Sequence, residues 1–280
     1  MRIAGYNISE VWWALLDNLI VEGRFVSPRQ QGTRELLGVQ LHIANARDNI
    51  LVNEIRKISY RFMVAEWLWI WYGRDDVATI SRYNSKITQF SDNGIDFNGA
   101  YGKRIRPRWD AVINRIKSDP DTRQAVIDVF SHEDLLRETK DVPCTISLQF
   151  LLRDGRLHTI ANMRSSDVWL GLPYDVFNFT MLANVAAAQL GVDLGPITLN
   201  LGSSHLYDRD REKADEARWV QNHSYVRSPR LYEAPPAWLE DVLVTGRMRP
   251  LAEGPWLTYG SILEDTSNAN NLERLKRWPK

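Results

Sequence analysis

The chain has almost no cysteine and no excess of charge of either sign. Cys144 is the one cysteine among 280 residues. A single thiol cannot close an internal disulfide, and a four-cysteine zinc site is excluded. A reducing compartment is the expected setting. Lysine plus arginine number 35 and aspartate plus glutamate 35, so the formal charge is zero. That balance excludes nucleic-acid binding through a broad basic surface, but leaves room for a local anion pocket. No apolar run approaches the ~18 residues that a membrane span needs. The opening residues, MRIAGYNISEVWW, lack the apolar stretch and small-residue cleavage site of a secretory signal, and a cytoplasmic location is expected. With no internal repeat, low-complexity segment or linker, residues 1–280 are expected to form one domain.

What is present is ordinary in bulk: 44% hydrophobic and 25% charged residues, as in a globular protein. The 11 tryptophans point to a well-filled core. SEVWWALLDNLIVEG predicts a helix with Ser9 as N-cap and Gly23 as stop. SPRQQGTREL reads as a basic loop and LLGVQLHIA as a strand. ISYRFMVAEWLWIWYG is apolar nearly all round, which predicts a buried helix ending at Gly73. RWDAVINRIKSDPD is an amphipathic helix stopped at Asp119-Pro120, and RQAVIDVF a strand. CTISLQFLLRDGRLHTIANMR reads as two strands joined by the hairpin pair Asp154-Gly155. VFNFTMLANVAAAQLG is a helix ending at Gly191, and PITLNLGSSHLY a strand. After about Asp210 the pattern weakens, apart from a short helix in PPAWLEDVLVTG. Helices and strands mix without regular alternation, which favours α+β with a mixed or antiparallel sheet.

Several residues carry chemistry. Cys144 follows a proline where a loop becomes a strand. It reads either as a small buried hydrophobe or as a nucleophile, which would need a nearby cation to hold the thiolate. Arg164 can supply that cation, because the hairpin brings the two segments together. Glu66 interrupts the most apolar helix; it is either an edge acid touching water or an acid/base of raised pKa. Arg123 lies in SDPDTRQ, where a solvated arginine is the plain alternative. His205 and Tyr207 are two apart on a strand and share a face, a spacing suited to one small polar ligand. No further His, Asp or Glu in register makes this a metal site. In NMRSSDVWLGLPYDVFNF, Arg164 and Ser165 suit an anion, while Asp175 at the mouth of a helix is either a reader or a cap.

In combination these segments resemble the thymidylate synthase family over roughly residues 27–210. PC before a strand, RSSDVWLGLPYD, GSSHLY, DPDTR, AEWLW and AYGKR match that family's motifs in the same order. The resemblance implies a thymidylate synthase-like fold that dimerises through its sheet. It further implies Cys144 as nucleophile, with Glu66 and Tyr101 managing protons and water. Arg164 and Ser165 would hold a nucleotide 5′-phosphate, with Arg29 the candidate for the N-terminal phosphate arginine. Arg123 would reach the phosphate from a partner subunit, next to Gln124 where the family often has a second arginine. His205 and Tyr207 would hold the sugar, and Asp167 and Gly171 would face the cosubstrate, 5,10-methylenetetrahydrofolate. No metal is implied.

The departures point to the cytidylate hydroxymethylases. Asp175 stands where thymidylate synthases carry Asn, the chain reads N-M-R-S and C-T where they show Q-R-S and C-H, and Thr88 replaces a bulky tryptophan. An Asn amide donates to uracil O4 and accepts from N3–H; cytosine reverses both edges. A carboxyl group can serve the reversed pair. The expected reaction is therefore hydroxymethyl transfer to C5 of CMP or dCMP through a Cys144–C6 adduct. The alternatives are a dCMP 5-methylase, a thymidylate synthase with an unusual base reader, or a non-catalytic nucleotide- or RNA-binding relative.

Overall fold

In the computed structural model, residues 1–220, 224–248 and 255–277 are described. The strands are β1 (Arg2–Gly5), β2 (Arg24–Val26), β3 (Thr33–Ile43), β4 (Ile50–Val52), β5 (Val126–Asp128), β6 (Thr145–Arg153), β7 (Arg156–Asp167), β8 (Asp193–Tyr207) and β9 (Ser224–Val226). The helices are α1 (Ile8–Glu22), α2 (Tyr60–Trp71), α3 (Val77–Ile80), α4 (Tyr101–Ser118), α5 (Glu133–Leu136), α6 (Leu172–Leu190), α7 (Arg211–Arg218), α8 (Ala237–Thr245), α9 (Pro255–Glu264) and α10 (Asn268–Lys276).

The main sheet runs β1-β3-β8-β7-β6-β5, with β2 on β3. β1–β3 and β7–β8 are parallel; the other pairs are antiparallel. This is the α+β arrangement with a mixed sheet that the sequence implied. The hairpin forms at Asp154-Gly155, both at positive φ (50° and 71°), as a two-residue turn demands.

One face of the sheet buries Leu41, Leu148, Phe150, Leu157, Ala161, Ile197 and Leu199. Against them lies α6, buried almost throughout because VFNFTMLANVAAA has small or apolar residues on every side. α2 packs on α6, and α4 packs on α2. Trp12, Trp67 and Trp109 are fully buried, as the tryptophan content led one to expect, whereas Trp219 is 70% exposed. The opposite face is polar: Gln40 donates to Asn200 (3.0 Å), Asn200 to Asn162 (2.9 Å), and Asn162 to Ser147 (3.0 Å).

Four strands share an irregularity that positions the site. Burial alternates along β7 through Leu157, Thr159, Ala161 and Met163, then resumes out of step at Ser166. In β8 it runs through Ile197, Leu199 and Leu201, then shifts to Ser204 and Leu206. The unpaired residues are Arg164 and Gly202, side by side, with Gly38 of β3 opposite Gly202; one step away, Ile146 of β6 is an extra residue facing the Asn162–Met163 step of β7. Gly38 has φ +64°. A Cβ on Gly202 would meet the Arg164 carbonyl at 2.9 Å. Such bulges bend strands and re-aim side chains. Beyond this line Ser165, Asp167, His205 and Tyr207 share one face.

Some elements differ from expectation. The N-cap of α1 is Asn7, not Ser9: the Asn7 side chain accepts from Glu10 N (3.0 Å) and donates back to the Glu10 carboxylate (2.7 Å), a reciprocal cap. α4 begins at Tyr101 and contains Pro107, which reads in sequence as a boundary. The strand in RQAVIDVF is only the three residues of β5. The segment after Asp210 is not weakly structured but holds α7, α9 and α10 as well as α8. α7 and α10 bury few side chains, such as Ala214 and Ala217 in α7, so no apolar period marks them, whereas α9 buries Trp256, Tyr259, Ile262 and Leu263 at helical spacing, a signal that the sequence reading passed over.

Candidate active site

Cys144 lies at the loop-to-strand junction before β6, partly buried. Arg164 of β7 grips that junction. Its Nε donates to Pro143 O (2.9 Å), one Nη donates to Val142 O (2.8 Å), and the same Nη stands 3.8 Å from the Cys144 sulfur. The backbones join as well, Arg164 N donating to Cys144 O (2.8 Å). The expected thiol–cation pair is thus present. Burial still pushes the Cys144 thiol up; Arg164 and Arg29 pull it down, while Asp175 and Asp141 push it further up.

Three protonatable groups surround the thiol. Tyr101, at the start of α4, accepts from Thr145 N through its hydroxyl (3.3 Å). Burial, then Asp175 and Cys144, hold its pKa well above the usual value. Asp175 lies in the first turn of α6, its backbone N donating to Gly171 O (3.0 Å). The helix begins after Gly171 and has no side-chain cap, so the capping role is excluded. Burial, with Glu66 and Asp167 adding repulsion, holds the Asp175 carboxyl well above the carboxylate range. Glu66 of α2 accepts from Asn178 Nδ2 (2.8 Å). Burial pushes it up to about 7, against the pull of Asn178.

The turn between β7 and α6 sets these positions. Asp167 Oδ1 accepts from Trp169 N (2.8 Å) and Leu170 N (2.9 Å). Burial raises its pKa, while those two N–H groups and His205 oppose the shift. Trp12 Nε1 donates to Val168 O (2.7 Å) and Arg56 Nε to Trp169 O. Gly171 leaves the space over Asp175 open: a Cβ there would come within 3.5 Å of Asp175 Oδ2. On β8, His205 lies opposite Asp167, and its Nδ1 is 3.4 Å from Ser165 Oγ. Burial lowers the His205 pKa, although Asp167 pulls it up. The His205 and Tyr207 rings meet edge to face at 5.1 Å.

The structure therefore brings Cys144, Arg164, Tyr101, Asp175 and Glu66 together, with Asp167, Ser165 and His205 alongside. Arg29 is exposed, with φ +51° in a short turn, and its charge reaches both Cys144 and His205. Arg123 is not part of this cluster: it is exposed, and its backbone carbonyl accepts from Gln149 (3.0 Å). Thr88 is also exposed, its hydroxyl donating to Ser85 O in its own turn (2.9 Å). Sequence reasoning missed Asn178 and Arg56. A buried amide three residues after Asp175, in an otherwise apolar helix, was the available signal for Asn178; Arg56 carried none. Among the described residues no cluster of His, Cys, Asp and Glu could hold a metal ion.

A family model described as thymidylate synthase matches residues 10–232. The chain belongs to the thymidylate synthase family. A deoxyuridylate hydroxymethyltransferase of Bacillus phage SP01 is 33% identical over 222 residues, covering 73% of this chain and 58% of that protein. This member of the family thus spans little more than half the length of that relative. No helix among the described residues is long and apolar enough to cross a membrane.

Proposed function

We propose that this protein is one folate-dependent catalytic domain that transfers a hydroxymethyl group to C5 of a cytidine monophosphate, CMP or dCMP. The supporting observation is the Asp175 carboxyl, partly buried, pushed well above the carboxylate range and unused as a cap. A neutral acid can accept from cytosine N4–H and donate to N3. It can also give its proton to N3, which an amide cannot. N3 protonation draws electrons from C6 and helps only cytosine, because uracil N3 already carries its hydrogen.

The steps follow from the cluster. The nucleotide phosphate binds at Arg164 and Ser165, near Arg29, with Arg123 of a second copy completing the clamp across the polar face of the sheet. His205 and Tyr207 hold the sugar. Cys144 adds to C6 as a thiolate, held by Arg164, and C5 becomes nucleophilic. The cosubstrate, 5,10-methylenetetrahydrofolate, supplies a one-carbon unit; Asp167 keeps one carboxylate oxygen beyond its turn for it, and Gly171 leaves room. Glu66, poised near neutral pH, moves protons and activates the water that becomes the new hydroxyl. Expulsion of Cys144 from C6 restores the ring.

A second reading is uridylate hydroxymethylation, favoured by the name of the phage relative. A neutral Asp175 can donate to uracil O4 and accept from N3–H. Mass analysis of products from CMP, dCMP and dUMP with methylenetetrahydrofolate separates the two. A gain of CH2O on a cytidylate is the expected result. Product formed only from dUMP would refute it. Stoichiometric dihydrofolate, read by absorbance, would mean that hydride rather than water ends the reaction and that the product is methylated.

A further inference from the structure

A cavity of about 290 Å³ opens at the far end of α6, lined by Arg47, Arg156, Arg230, Asp193 and the apolar side chains of Ala187 and Leu231, among others. Ala188, also in its wall, lies 13 residues along the helix from Asp175, about 20 Å at 1.5 Å per residue. It is separate from the cluster around Cys144.

The charges are unbalanced. Arg230 pairs with Asp193 at 2.8 Å. Among the described residues, neither Arg47 nor Arg156 has a carboxylate within ion-pairing distance. Asp48, the nearest acid in sequence to Arg47, is taken by Arg227 (2.9 Å at Nη) and Asn45 (2.9 Å). The polar atoms of Asn184 are used too, by Pro229 O (2.7 Å) and Leu231 N (3.2 Å). One Arg156 Nη donates to Leu194 O at a long 3.5 Å; beyond that the wall gives the Arg47 and Arg156 guanidinium groups no partner of opposite charge among the described residues.

Arg47 is also held in place. Its backbone N donates to Asn45 (3.3 Å), its carbonyl accepts from Ser228 N (2.7 Å), and its Nε donates to Ser228 O (3.0 Å). Both Nη groups remain for a ligand. Burial, then the charges of Arg227 and Arg230, weaken its hold on its own proton, and Asp48 only partly opposes them. At the edge, the 78% exposed Tyr232 ring lies 5.6 Å from the Arg230 guanidinium.

We propose that this cavity is a second anion site, which takes a phosphate group between Arg47 and Arg156. A fixed guanidinium with two free Nη groups suits a phosphate. The phosphate is carried either by free inorganic phosphate or by a nucleotide whose base lies on Ala187 and Leu231 towards Tyr232.

The test is calorimetric titration of the full chain with inorganic phosphate and, separately, with adenosine monophosphate. Binding should persist in Arg164→Ala, which alters only the Cys144 cluster. It should weaken on the order of tenfold to a hundredfold in Arg47→Met/Arg156→Met. If that double variant does not fold, Ala188→Glu decides, because it adds a carboxylate to the wall and leaves both arginines. Tighter binding of the nucleotide than of phosphate assigns the base to the floor; equal binding assigns the site to the phosphate group alone. The proposal is overturned if neither probe binds, or if binding is lost in Arg164→Ala and unchanged by the cavity substitutions.

Discussion

Glu66 accepts from an amide that itself has no partner for its buried carbonyl oxygen, Asn178 Oδ1. The carboxyl is therefore held but poorly solvated, and its folded pKa of about 7 lies above the ordinary 4.5. For an acid shifted upward, the linked stability is fully present below pH 4.5 and falls as pH rises through about 7. Glu66→Gln should remove that loss, so the variant gains about 3 kcal/mol over wild type on going from pH 4 to well above 7. Turnover should collapse in the same variant. Thermal melts at the two pH values, beside an activity assay, check both halves. The second residue that matters is Asp175. Asp175→Asn should lose most cytidylate turnover and shift the relative kcat/KM towards uridylate by on the order of thirtyfold or more. Unchanged base preference in steady-state kinetics would remove Asp175 as the base reader.

At the scale of elements, α4 is tied to α5, in the connection before β6, by one buried pair. Arg104 contacts Asp134 at 2.5 and 2.7 Å and also donates to Val129 O and Asn98 O. Arg104, aided by Ser131 N, draws the Asp134 carboxyl down to about 2. A lowered acid contributes stability above its unfolded pKa near 3.8 and loses it as pH falls through about 2. The contribution is about 2 kcal/mol. Acid denaturation between pH 4 and 2 should therefore be shallower in Asp134→Asn, which starts out less stable at neutral pH. Elements with a strong local cause were legible in the sequence: the Asp154-Gly155 hairpin, the apolar helices α2 and α6, and the stop at Gly191. α7 was not, because REKADEAR is polar on nearly every side and is held through two small residues, Ala214 and Ala217, and through Arg218, which pairs with Asp17 (3.2 Å) and accepts from Trp13 at its carbonyl (2.7 Å). The start of α4 was hidden by Pro107. The site was legible residue by residue through Cys144, Arg164, Glu66 and Asp175. Its order was not, because Asn178 and Arg56 act through contacts 112 and 113 residues away.

At the scale of the whole molecule, Arg123 raises the question of a second copy. It is exposed and no hydrogen bond or ion pair joins it to the Cys144 cluster among the described residues, so a role at the phosphate calls for another chain. Arg123→Ala and Cys144→Ala proteins should each be inactive alone. Mixed under conditions of confirmed subunit exchange, they should recover activity, because one site of the hybrid receives both intact residues. No recovery would argue against shared sites. The neutral overall charge suits such an assembly, since two copies meet without long-range repulsion.

The line of unpaired residues through Gly38, Gly202 and Arg164 makes losing a residue worse than changing one. Each strand spends one residue there, and each extra residue sits beside its neighbour's. Deleting Gly202 alone would leave β8 one residue short against two strands that still carry theirs. Either half of the strand would then have to slide, separating His205 from Asp167 or Asn200 from Asn162. For a gene encoding this sheet, a three-base deletion at this point would be tolerated only if matched in the adjoining strands.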